Sequence, residues 1–316
     1  MSTISAETNP VSTGSERRRR GRSISDTWFS VLLITPAAII IVFFALVPLG
    51  YALNVSFRQA DLTRGGIQGF VGLDNYRTVL DDDYFWQSVR TTLVFTFFAV
   101  GIEMVLGIAI AFLINSVTVG KTLVRSLLIL PLATAPAVTG LFWRYLYDTQ
   151  FGLYNYFLGL AGLPQPNWLG DIKIALWALI VFDVWLWMPF VALIVLAGLQ
   201  SLPKEPFEAA ELDGASTYRI LRTLTFPMLM PVLFLVAILR TIDALRLYDA
   251  VAVLTRGGPG TITETMTFYL WRTGLQFFRM DQASAMALLF LYGVIVGSLF
   301  ALRPLLNRFA ARAGER

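Results

Sequence analysis

Cysteine and histidine are both missing from this 316-residue chain, and charged side chains make up only 15% of it. Without thiolate or imidazole there is no disulfide, no Cys/His zinc site and no histidine general base, so a zinc enzyme or a Ser-His hydrolase is excluded. No Gly-x-x-x-x-Gly-Lys-Ser/Thr run occurs, so the chain has no nucleotide-binding signature of its own. No internal repeat of fixed short period is visible, and nothing marks a catalytic residue or a metal ligand.

What is there is mostly apolar: 56% of residues are hydrophobic and the mean hydropathy is +0.65, far from soluble averages. Six segments are long enough to cross a hydrocarbon core of ~30 Å, which takes about 20 helical residues. They run from Trp28 to Phe57, Val89 to Ile114, Leu123 to Tyr147, Ile174 to Leu199, Pro227 to Leu247, and Ala283 to Leu302. The runs are continuous rather than alternating with period two, so the expected fold class is an all-α integral membrane protein with six transmembrane helices, not a barrel. Pro36, Pro48, Pro131, Pro136, Pro189 and Pro231 fall inside them and predict kinks. The first span is too long for a cleaved signal.

Basic residues set the expected orientation. Arg17, Arg18, Arg19, Arg20 and Arg22 precede the first span; Lys121 and Arg125, then Lys204, Arg219 and Arg222, and finally Arg303, Arg308, Arg312 and Arg316 fall on the same side. The opposite loops carry Asp81, Asp82, Asp83, Asp148 and Asp171. Positive-inside logic places both termini in the cytoplasm, with the arginine run reading as a topology signal at anionic lipid rather than a nucleic-acid patch. Residues 1–27 are expected to be a disordered basic tail, and 28–316 the membrane domain.

Between the fourth and fifth spans lies a polar island at 201–226 containing Glu205, Glu208, Glu211 and Asp213, flanked by Ala209, Ala210, Gly214 and Ala215. A plain connector has no need of an acidic helix with an alanine shelf. Such a helix suits docking into a groove on another protein, where small side chains allow close approach. Ser201 is expected to cap it, with Pro203 and Pro206 in its first turns. Gly214 is expected to turn left-handed, and Ser216 or Thr217 to cap a second helix running to Thr225.

The same stretch resembles the cytoplasmic coupling loop of binding-protein-dependent ABC importers. Their permeases share Glu-Ala-Ala, three residues, Gly, nine residues, then Ile-x-Leu-Pro. Glu208, Ala209, Ala210, Gly214 and Pro227 match, while Leu224 and Phe226 replace the Ile and Leu. Two further phrases, Phe70 to Tyr76 and Thr255-Arg256-Gly257-Gly258-Pro259, resemble segments of carbohydrate-importer permeases. The resemblance implies a type I importer permease in a bacterial inner membrane, with no cofactor of its own. It further implies a second homologous permease forming a heterodimer, two ATPase subunits that bind ATP and magnesium, and an extracytoplasmic solute-binding protein. Glu208 and Asp213 lie at the family positions that contact and shape the ATPase interface.

Charges inside spans are the second clue, because they are costly in lipid and usually face a cavity or each other. Glu103, Asp183, Arg240, Asp243 and Arg246 qualify. Arg240, Asp243 and Arg246 share a helix face by their spacing of three, as do Asp183, Trp187 and Phe190 on the fourth span. Arginine–carboxylate pairs beside aromatic faces suit a polyhydroxylated ring. In permeases of the maltose-importer type, the resemblance puts Arg240, Asp243, Ala244 and Leu247, with Phe190, at sugar-contact positions. Two readings stand here: a sugar pocket, or an Arg-Asp-Arg ladder tying helices together, with Glu103 near a helix interface. The rival at the level of function is an ion-coupled secondary transporter, which predicts inverted repeats and no Glu-Ala-Ala pattern.

Overall fold

The computed structural model describes residues 23–61, 63, 65–117 and 120–314. Most of the expected tail, residues 1–22, lies outside them. The chain divides into two units, Met1–Tyr51 and Ala52–Arg316. The first contains most of helix α1 (Ser23–Ser56), whose residues 31–50 are exposed throughout. So long an exposed and almost wholly apolar stretch is stable only where lipid is its solvent, since its own backbone satisfies the peptide groups.

The second unit opens with an antiparallel hairpin of β1 (Arg58–Asp61) and β2 (Gly66–Phe70), followed by the short helix α2 (Asp74–Leu80). Asp82 then starts α3 (Asp83–Ser116) by accepting a hydrogen bond from the Tyr84 amide at 3.0 Å. Helix α3 packs along α7 (Ala175–Gln200), and α10 (Phe226–Ala244) lies against both. Gly107 makes that packing possible: a Cβ there would sit 2.7 Å from the Val191 side chain.

The third expected span, Leu123–Tyr147, is not one rod. It is α4 (Lys121–Leu132) and α5 (Pro136–Leu146), bent by 93°. Pro136 forces its predecessor Ala135 into an extended conformation, so the first helix stops and the second starts on the proline. The Thr134 hydroxyl donates to the Pro131 carbonyl at 2.6 Å and occupies one of the carbonyls the break leaves over. Among the described residues there are therefore five helices able to span, or six if the bent pair is one span.

At the end of the bundle away from the polar island lie α6 (Leu153–Leu160), α11 (Met266–Trp271) and the start of α12 (Met280–Gly314). The loop before α11 is held by an ion pair from Arg272 to the buried Glu264 at 2.8 Å, and a short hydrogen bond from the Tyr269 hydroxyl to Asp82 ties α11 to the start of α3. Burial pushes the Glu264 carboxyl up to about 7; Arg272 pulls the other way and Asp82 adds to the rise.

Two outcomes follow from this packing. Gly107→Val should overpack the α3–α7 contact and cost ~1–3 kcal/mol, read as a lower thermal midpoint of the purified protein in detergent. Because the Glu264 carboxyl rises from 4.5 to about 7 on folding, the folded chain holds the extra proton within that window. Its contribution is fully present below the lower value and is lost as pH climbs through the upper one. Wild type should therefore show a thermal midpoint falling across this range, and Glu264→Gln should remove that part of the slope.

Candidate functional site

Four ionisable side chains from three helices meet, three of them buried. Arg240, from α10, is 1% exposed, with Glu103 of α3 at 0% and Asp183 of α7 at 2%. The Arg240 guanidinium donates to Glu103 through Nε at 2.7 Å and Nη2 at 2.9 Å, a bidentate pair. Nη2 also donates to Asp183 at 2.9 Å, and Nη1 to Asp243 at 2.6 Å. Its flat face lies 4.8 Å from the Trp187 ring centre. Four of the five N–H groups an arginine possesses are thus committed.

The cluster sits between two apolar regions. Phe182, Leu186 and Ala244 belong to one and Val191, Val195 and Val236 to the other, while Met104, next to Glu103, packs against both. Water is excluded on either side, which is why the arginine needs several partners rather than one. Pro189, buried in α7, has no N–H for the Trp185 carbonyl, which loosens the helix beside Trp187.

The sequence-derived residues separate by exposure. Arg240 is enclosed behind the wall. Asp243, 42% exposed in its side chain, and Arg246, 74% exposed and 3.8 Å from Asp243, face outward. A cleft of about 170 Å³ is lined by Asp183, Trp187, Asp243, Ala244, Arg246 and Leu247, joined by Asp249. Phe190 is not on that lining; it stands edge-on to Trp187 at 6.2 Å and packs into the second apolar region. Glu103, which sequence reasoning left at a helix interface, is the bidentate anchor of the arginine. Its only signal was being an isolated carboxylate in mid-span.

The polar island forms a knob. Helix α8 (Glu205–Leu212) begins with Pro206 in its first turn and has no buried residue. Ser201 does not cap it: the Ser201 hydroxyl donates to the Gly198 carbonyl at 2.8 Å and closes α7 instead. At the other end the Gly214 amide donates to Glu211 O at 3.0 Å and the Ala215 amide to Ala210 O at 2.9 Å. That double closure needs a left-handed residue, and Gly214 has φ +71°. Glu208, Ala209 and Asp213 are exposed, with Ala210 and Ala215 half-buried. Leu212 is 90% exposed, an apolar tip that sequence reasoning passed over.

Ser216 then caps α9 (Thr217–Ile220) by accepting from the Arg219 amide at 3.4 Å. No break precedes the fifth span. A wide turn at Leu221–Thr225, closed by Phe226 N to Leu221 O, runs straight into α10, so the helix is continuous from Thr217 to Ala244. Pro227 offers the reason, since it has no N–H to donate and crowds the carbonyl four residues back.

Comparison with known proteins gives a family and a fold. Residues 9–312 match the model of the binding-protein-dependent transport system inner membrane component. A probable ABC transporter permease of Sinorhizobium fredii is 39% identical over 88% of this chain and 89% of its own length. The trehalose/maltose transport system permease MalF of Thermococcus litoralis is 37% identical, over 75% and 80% respectively. Among solved structures, a bacterial ABC transporter involved in import of the acidic polysaccharide alginate superposes with a TM-score of 0.77, at 21% identity, covering 89% of this chain and 96% of that one. At that identity the likeness is one of fold.

Glu103→Ala should take the bidentate acceptor from a buried guanidinium, leaving its Nε–H unpaired, and cost ~3–5 kcal/mol, seen as loss of folded protein in detergent. Asp243→Ala, removing a half-exposed partner, should leave the folded yield close to that of wild type.

Proposed function

The chain belongs to the family of binding-protein-dependent transport system inner membrane components, and from that premise we propose that this ABC importer permease carries a carbohydrate into the cytoplasm by alternating access. It is a multi-pass protein of the inner membrane. The trehalose/maltose permease among its relatives supports a sugar or sugar derivative as cargo. The cleft supports it too: Asp243 and Asp183 offer acceptors to hydroxyl groups beside the flat Trp187 ring.

The observation that carries the reading is the knob. A helix without a buried residue, tipped by an exposed leucine and closed by Gly214, has the form of a ligand for another protein. We take that protein to be one of two ATPase subunits, which hold the ATP and magnesium. A second, homologous permease completes the membrane pair as a heterodimer, and a solute-binding protein docks at the far end. Both termini and the knob then face the cytoplasm. When the ATPases close, the push on α8 passes through one unbroken helix, Thr217–Ala244, to Arg240 and the cleft. Nothing among the relatives supports the ion-coupled alternative.

Glu208→Lys in the assembled transporter should abolish uptake and the stimulation of ATP hydrolysis by the loaded binding protein, without weakening sugar binding to that soluble protein. Uptake at the wild-type rate would reject the docking role.

A further inference from the structure

Resting on the carbohydrate reading, we infer that the cleft admits uncharged polyols and rejects anionic ones such as sugar phosphates, sulfonates and uronates, with Asp243 setting that preference. The argument is one of unoccupied donors. An anion taken into a water-poor site needs a cation with free N–H groups, or its desolvation goes uncompensated.

Arg240 is the natural candidate and is already used. Its side chain is 2% exposed, its donors point at Glu103, Asp183 and Asp243, and Trp187 covers a face. It stands behind the wall, and Glu103 matches its charge. On the wall itself, among the described residues, Asp183, Asp243 and Asp249 stand against a single guanidinium, Arg246, and that one lies 3.8 Å from Asp243. Three carboxylates face one guanidinium on that wall.

Such a surface suits hydroxyl groups, each of which brings a proton to a carboxylate oxygen. A phosphate or carboxylate brings only more negative charge. Of the three carboxylates that bond Arg240, Asp243 is the one with substantial exposure, 42% of its side chain against 0% for Glu103 and 3% for Asp183, so it is the one of them a ligand can reach. Arg240 is by this account a positioning residue: it holds the Asp243 carboxylate in place from behind.

The test uses the full transporter in lipid nanodiscs and matched probes: glucose with glucose 6-phosphate, trehalose with trehalose 6-phosphate, glycerol with sn-glycerol 3-phosphate. Binding is read as the tryptophan fluorescence change lost in Trp187→Phe. Each neutral probe that binds should do so on the order of a hundredfold more tightly than its phosphorylated match. Asp243→Asn, which keeps the shape and leaves Arg240 bonded to Glu103 and Asp183, should shrink that ratio severalfold, with assembly verified by size exclusion. Equal or tighter binding of the phosphorylated probes would overturn the inference and leave the carbohydrate reading standing. An unchanged ratio in Asp243→Asn would overturn the role of Asp243. If no probe of either kind binds and none is taken up on ATP, the carbohydrate reading fails and takes the inference with it.

Discussion

A guanidinium enclosed where lipid or protein surrounds it on all sides has to be neutralised by side chains, because no water can do so. Arg240 meets that demand with a carboxylate from α3, one from α7 and one from its own helix. Three helices that could otherwise slide along greasy faces are thereby fixed in register, since a shift of one turn would part charges that cannot be solvated. Lipid gives little reason for apolar helices to choose one another, so close packing and polar contacts have to decide the arrangement. Gly107 supplies the close packing of α3 on α7, and Arg240 the polar contact that ties α10 to both.

Pocket and brace, the two readings of the Arg-Asp-Arg spacing, turn out to describe different atoms of one network. Arg240 and Glu103 brace. Asp243, Arg246 and Trp187 line an opening, and Asp183 does both. A charge whose helical spacing poises it for a ligand is spent internally, and what reaches the cleft is the carboxylate it holds.

How much of this was legible in the sequence follows from range. Spans announce themselves by composition, and the pairing of Arg240 with Asp243 is three residues apart on one helix, so both were readable. Glu103 is 137 positions from Arg240, and no periodicity within a helix reports a partner on another. The break after α4 was readable as a kink at Pro131 and Pro136 but not as a right-angle turn, because its angle is set by what α5 packs against. Ser201 was assigned to the wrong helix: a serine between two helices can close one or open the other, and the backbone decides. The closure at Gly214 was readable, since only a residue free of a Cβ enters that conformation cheaply; the exposure of Leu212 was not, because a leucine in an acidic helix looks like core.

The wide turn at Leu221–Thr225 has one more consequence. It spends an extra residue compared with an ordinary helical ring, and one residue corresponds to about 100° of rotation about the axis. The azimuth of the knob relative to the Arg240 side chain is therefore indexed by that single surplus residue. A chain with one position deleted there would gain a more regular rod and lose its aim, with every contact surface intact and facing the wrong way.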